Sequence, residues 1–265
     1  RVLVCGNLLA WGQHGVAFAV GQEPVEMWPA IAEALYRIRR ADKLHGQTDY
    51  VLVKDVSGSL HASAEALRPF SYRQFETEPN MVLTLGPKWS CFADYLNSLN
   101  KKYRKVAREV LDEVERGGCR IEHFTGLYNA ADDIHALYMQ VADRANVRLA
   151  RLQPEYLPQL ARVLGPDRFR CSIIRRNDNI VGFVTTLKDG DTAIGYYLGV
   201  DYTVNDELPI YFRLLYAVIP IGFVGFNPIH LPFSLPWLAH RWEGNAVGAF
   251  EHRDFIRHRR RRPGG

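Results

Sequence analysis

The apolar positions change rhythm along the chain, and the changes mark its elements. "RVLVC" and "GVAFAV" read as two short strands around the loop "GNLLAWGQHG". Pro24 opens a helical pattern running to about His45, with Met27, Ile31, Leu35 and Ile38 at helical spacing. "DYVLVKDV" reads as a buried strand, followed by a short helix around Ala62 to Leu67 and by two further strands, "FSYRQFET" and "NMVLTL". A long helix comes next, with Ser90 as its expected cap. Phe92, Tyr95, Leu96, Leu99, Tyr103, Val106, Val110, Leu111 and Val114 recur there at three- and four-residue steps, one continuous stripe closed by Gly117 and Gly118.

Beyond the strand "CRIEHF" the pattern predicts helices over Ala131 to Asn146 and Pro154 to Leu164. It then switches to strict strand character in "RFRCSIIRRN", "NIVGFVTTLKDG" and "TAIGYYLGV". Asn177-Asp178 and Asp189-Gly190 supply the turns of an antiparallel meander. An apolar helix from about Glu207 to Gly222 follows. The run Leu208 to Phe226 is about as long as a bilayer span, but Arg213 sits inside it and Pro209, Pro220, Gly222 and Gly225 interrupt it, so a buried helix feeding a strand is the expectation.

Bulk chemistry narrows the function classes. The net charge is +4 over 265 residues, and Arg257, Arg259, Arg260, Arg261 and Arg262 alone exceed that balance, so the folded body is close to neutral and is not a general nucleic-acid binder. Residues 251–265 are expected to be a basic disordered tail. Cys5, Cys91, Cys119 and Cys171 form no C-x-x-C pair, which fits neither a zinc site nor a disulfide framework and suits a reducing cytoplasm. The chain opens without an initiator Met or a charged-then-apolar leader; the expectation is no signal peptide and an incomplete amino terminus. No G-x-G-x-x-G follows a strand, "GPKWS" lacks the spacing of a phosphate loop, and neither G-x-S-x-G nor H-E-x-x-H occurs, so nucleotide hydrolysis, that serine hydrolase class and a zinc site have no support.

Two stretches carry a resemblance. "FADYLNSLNKKYRKVARE", with its pattern F-x-x-Y-L-x-x-L-x-x-K-Y-R, and the strand-to-helix run "YYLGVDY…PIYFRLLYAVI" are similar to the Fem-type and related peptidoglycan-biosynthesis acyltransferases built on the GNAT fold. The likeness covers residues 78–226 well and the first 77 loosely. It implies an α+β, GNAT-like acyltransferase fold: a mixed, mostly antiparallel sheet flanked by helices, in two GNAT-like halves. The division expected is an incomplete first half over 1–89, a long basic connecting helix over 90–117, a second half over 118–250 and the tail.

The resemblance further implies transfer of an acyl or aminoacyl group to an amine, such as a cell-wall precursor or an amino-acid-like acceptor. The donor would be acyl-coenzyme A, acyl carrier protein or aminoacyl-tRNA, with no tightly bound cofactor, no metal and no stable membrane insertion. A GNAT sheet performs such transfer by splaying two neighbouring strands, so that unpaired N–H groups face the donor carbonyl; here that cleft is expected beside Thr192 to Val200. Tyr196, Tyr197 and Tyr202 are then candidate catalytic residues, with Tyr211 and Arg213 as candidate substrate contacts. Each has a plainer reading: the tyrosines as core aromatics, Arg213 as the partner of Asp201 or Glu207. The loop "GVDYTVNDELP" departs from the family's phosphate-binding loop, because Asp201, Asp206 and Glu207 crowd the helix start and repel a pyrophosphate there. The proline-rich segment after Phe226 departs as well. Together they keep open a catalytically inactive GNAT-like binding module. Lys101, Lys102, Arg104, Lys105 and Arg108 are either the dock of an anionic substrate or the solvated face of their helix; their basic-first order runs against the helix dipole.

Overall fold

A computed structural model describes residues 1–9, 15–44, 48–56, 58–75, 81–144, 151–222 and 229–231. The chain divides into two compact units, Arg1–Thr77 and Glu78–Gly265, so residues 78–89 go with the second unit and not with the first. The expected basic tail lies outside the described residues.

In the first unit, β1 (Val2–Cys5) pairs in parallel with β2 (Tyr50–Val53), in register from Val2 opposite Tyr50 to Cys5 opposite Val53. The crossover carries α1 (Pro24–Leu44), which Pro24 opens with a φ already suited to the first helical position. Then come α2 (Ser59–Ser63) and a 3₁₀ turn over Ala64–Phe70. Trp28, fully buried, anchors the core with Ala32 and Leu67, and its indole N–H donates to Ser63 Oγ at 2.9 Å. Two expected strands are absent here. "GVAFAV" is not a strand: Phe18 packs edge-on against Trp28 at 5.5 Å between ring centres, so its apolar residues plug the helix. Nor do the described residues of "FSYRQFET" form one, because Phe70 closes the 3₁₀ turn and Ser71 takes a left-handed φ of 68°.

The second unit holds β3 (Met81–Leu83), α3 (Phe92–Ser98), α4 (Lys101–Arg116), β4 (Cys119–His123), α5 (Ala131–Arg144), α6 (Tyr156–Leu164), β5 (Phe169–Arg176), β6 (Asn179–Asp189), β7 (Thr192–Val200), α7 (Tyr202–Glu207), α8 (Ile210–Gly222) and β8 (Ile229–Leu231). Its strands form one sheet in the order β3-β8-β7-β6-β5-β4, antiparallel throughout except between β7 and β8. Asn177 and Asp178 both take positive φ, the condition for the tight turn between β5 and β6.

The single helix expected over residues 90–117 is two. Leu99 is extended at ψ 148°, Asn100 caps α4 by accepting from Tyr103 N–H at 3.0 Å, and the Arg104 guanidinium donates to the Leu99 carbonyl at 2.9 Å. Ser90 does not act as the expected acceptor either. Asp94 takes the N–H groups of Ser90 and Cys91 at 2.8 and 3.2 Å and the Ser90 hydroxyl at 2.9 Å. The apolar run after β7 likewise begins with a separate short helix, α7, ahead of α8.

Helices cover both faces of the sheet. On one, the side chains of Ile210 and Leu214 in α8 lie where a Cβ at Gly182 would project. On the other, α5 comes so close that a Cβ at Gly199 would stand 2.5 Å from the backbone of Leu137 and Tyr138. Phe183, Ile173, Ile174, Leu214, Leu215 and Ile219 fill the interior with side chains at most 1% exposed. α4 buries Tyr103, Ala107, Val110 and Val114 and leaves most of its charged positions outside, as its periodicity predicts, with Arg104 and Glu113 half-buried.

Candidate active site

The described part of β8, Ile229–Leu231, runs parallel to the start of β7. Among the described residues, Ala193 and Ile194 alone pair with β8, opposite Ile229 and His230, while β7 continues to Val200. Which amides of β7 face away from β6 is set by a bulge. On β6, Val184 stands opposite Leu198 and Thr186 opposite Gly195, so Thr185 faces both Tyr196 and Tyr197. The Thr185 hydroxyl fills the gap: it accepts from Tyr197 N–H and donates to Tyr197 C=O, each at 2.9 Å. Asp201 N–H then donates to Val181 C=O at 2.9 Å. With Tyr197 and Asp201 turned toward β6, the two-residue alternation of a strand turns Leu198 and Val200 the other way, to the side on which β8 pairs with Ala193 and Ile194.

The bulge also brings Tyr196 and Tyr197 to one face of β7, with their rings edge-on 4.5 Å apart, toward α5 and α6. Tyr138 of α5 meets Tyr197 edge-on at 5.6 Å. The hydroxyls of Tyr156 and Tyr196 are 2.6 Å apart. The linker that brings α6 here is pinned by Tyr138 Oη, which accepts from Leu152 N–H at 3.2 Å, and by the His135 ring, 2.9 Å from the Leu152 carbonyl. Burial, then the bond to Tyr156, holds the Tyr196 phenol far above its ordinary range; burial and the neighbouring Tyr138 and Tyr156 push Tyr197 up to about 12. Both are therefore protonated at neutral pH and weaker acids than a free phenol, so each hydroxyl is available as a hydrogen-bond donor.

Beyond the strand, the amino ends of the next two helices are already capped. Asp201 Oδ1 accepts from Thr203 N–H and Asn205 Oδ1 from Tyr211 N–H, both at 2.9 Å. Tyr202 ties α7 to α5: its N–H donates to Gln140 Oε1 at 3.1 Å, and the Arg144 guanidinium lies over its ring at 3.6 Å. Tyr211 follows at the start of α8, its phenol pushed up to about 12 by burial and by Tyr202.

The other nominated residues stand apart from the tyrosines of β7. Neither carboxylate expected to pair with Arg213 does so: Asp201 caps α7, and Glu207 accepts from Arg176 at 2.8 Å. Burial lowers the Arg213 pKa, and Glu115 of α4 opposes that shift. On α4, Lys101, Lys102, Lys105 and Arg108 are exposed, with Lys105 3.6 Å from Glu109, whereas half-buried Arg104 is bound to the Leu99 carbonyl. A further cleft of about 520 Å³, lined in part by Phe124, Asn129, Asp133, Leu137, Arg175 and Ile180, lies toward the β4 end of the sheet order, away from β8; none of the nominated residues lines it. Thr185, Tyr156 and Tyr138 were not singled out by the sequence. The one signal for Thr185 was a pair of threonines inside an otherwise apolar strand.

Residues 100–219 match the family model described as the acetyltransferase (GNAT) domain. By structure the chain is similar to L-PGS from Bacillus licheniformis, at 13% identity and a TM-score of 0.47, covering 84% of this chain and 61% of that one. It is similar to FemX at 11% identity and a TM-score of 0.47, covering 79% of this chain and 68% of that one. An aminoglycoside acetyltransferase from an uncultured soil metagenomic sample, solved with sisomicin, matches 53% of this chain and 96% of its own at 19% identity and a TM-score of 0.36. The chain thus spans about three-fifths of the length of the first of these. No curated protein matches it.

Proposed function

We propose that this chain, whose residues 100–219 match the acetyltransferase (GNAT) domain model, moves an acyl or aminoacyl group from an activated donor to an amine. The observation that carries this reading is the bulge of β7 at Tyr196 and Tyr197, which turns the Leu198 and Val200 amides away from β6, to the side on which β8 pairs with Ala193 and Ile194. Backbone N–H groups fixed beside a groove stabilise the oxyanion that forms when an amine attacks a carbonyl held against them. In the transfer the N–C bond forms and the C–O or C–S bond to the carrier breaks. The amine releases a proton to solvent and the leaving group takes one from solvent, with the hydroxyl of Tyr196 or Tyr197 donating a hydrogen bond to the departing atom.

The donor is one that places no pyrophosphate at the amino ends of α7 and α8. Asp201 and Asn205 occupy amides that would receive it, and Asp206 and Glu207 add negative charge beside them. An aminoacyl-tRNA end or a carrier-protein arm fits better than acyl-coenzyme A, and the exposed Lys101, Lys102, Lys105 and Arg108 of α4 suit a polyanionic carrier. A cell-wall precursor or another amino-acid-like amine is the acceptor class in this reading.

Thermal unfolding with a charged tRNA pool, with acetyl-coenzyme A and with neither tests the choice, since a ligand bound only by the folded chain stabilises it by about 2.7 kcal/mol at a hundred times its Kd. We expect stabilisation by charged tRNA and none by acetyl-coenzyme A. The reverse result assigns the donor to coenzyme A, and no response to either donor leaves this reading without a ligand.

A further inference from the structure

The phase of β7 is held from two sides. Thr185 is fully buried, and its hydroxyl takes both backbone groups of Tyr197 at 2.9 Å, standing where a partner strand's own backbone would stand. On the α5 face, Gly199 leaves no room for a side chain: a Cβ there would meet the Phe183 ring at 2.4 Å and the α5 backbone at 2.5 Å. Sliding β7 by one residue would close the bulge, and it would put Leu198 or Val200 where only glycine fits. It would also turn the Leu198 and Val200 amides inward to β6 and present Tyr197 and Gly199 to the opposite side instead.

We infer that Thr185 is a positioning residue: through its bond to the Tyr197 backbone it selects which amides of β7 face the donor carbonyl. This deepens the acyl-transfer reading and rests on it for its functional half, while its structural half stands alone. A neutral hydroxyl is the group required, because it must donate to a carbonyl and accept from an amide at the same point. Valine matches threonine in shape and can do neither; serine can do both.

The test compares wild type, Thr185→Ser and Thr185→Val by amide hydrogen exchange read residue by residue by NMR. In wild type and in T185S, Tyr197 N–H exchanges more slowly than Leu198 and Val200 N–H. In T185V the Tyr197 amide accelerates by at least about tenfold, the change expected when one hydrogen bond is removed, while Phe183 and Ile173 keep their protection. An unchanged Tyr197 rate in T185V overturns the assignment. So does a uniform acceleration across the sheet that serine fails to rescue, since that marks a merely structural threonine. Thermal shifts with charged tRNA supply the second readout: T185V loses the response and T185S keeps it. A wild type that responds to no donor while the exchange pattern holds defeats the transfer reading alone.

Discussion

The hydroxyls of Tyr156 and Tyr196 meet at 2.6 Å, tying the first turn of α6 to the bulged strand. Because burial raises the phenols of Tyr196 and Tyr197 above the ordinary value of 10.0, the folded chain holds these protons more tightly than the unfolded one. Their contribution to stability is complete below pH 10 and declines as pH rises, for Tyr197 through about 12. Urea unfolding at pH 9 and at pH 11.5 is expected to show the loss, and Tyr196→Phe with Tyr197→Phe to reduce it, the remainder coming from buried Tyr95, Tyr211 and Tyr216, whose phenols are raised as well. An equal loss in the double variant removes both tyrosines as its source.

The basic residues of α4 separate into two kinds. Replacing Lys101, Lys102, Lys105 and Arg108 by Gln is expected to leave stability within about 0.5 kcal/mol, as for exposed sites in general. Charged-tRNA binding should weaken, and its salt slope should flatten by about 0.7 for each phosphate that is no longer neutralised. Arg104→Gln should do the opposite: a stability cost of about 1 kcal/mol from the uncapped Leu99 carbonyl, with little change in salt slope. Affinity measured from low to high salt, beside chemical denaturation, reads both.

Gly199→Ala is a severe change for one methyl group. The added carbon has no flexible neighbour to displace, since the nearest atoms are a buried ring and the α5 backbone. A loss of about 1–3 kcal/mol is expected in chemical denaturation, as for overpacking of a tight core. Gly190→Ala, at a β-turn with nothing near its Cβ but with φ 56°, should cost less, through backbone strain alone.

Arg213→Met tests whether the half-buried guanidinium contributes to folding. The carboxylates expected for it are engaged elsewhere, so the substitution removes a desolvated charge without breaking either of those bonds. Stability is expected to stay the same or to rise by up to about 1 kcal/mol. A fall of several kcal/mol would show that Arg213 carries an ion pair that matters.

Much of the second unit was legible because its signals are local. Alternation gave β5, β6 and β7 almost to the residue, and Asn177-Asp178 can adopt the left-handed φ their turn demands. The break between α3 and α4 was not, since Leu99 continues the apolar stripe across it and only Asn100 marks the new cap. "GVAFAV" looked like a strand because periodicity reports burial and cannot tell a ladder from a plug on Trp28. Within the candidate site, Tyr196, Tyr197 and Tyr202 were nominated through the resemblance to GNAT acyltransferases, which directs attention to β7 and the turn after it. Thr185 and Tyr156 were not, for their roles arise from contacts across strands or between elements far apart in the chain.

One strand lies out of sequence with its sheet. β3, which precedes the matched domain, joins β8 near the other end of the described chain, Met81 opposite Leu231. Closing such a large loop is entropically slow, so this outer strand is set to dock late in folding, after the meander has formed from near neighbours. A truncation beginning at residue 100 would keep the matched domain and strip that strand away. β8 would then replace β3 as the outermost described strand, its Ile229, His230 and Leu231 having lost the partners they find in Leu83, Val82 and Met81.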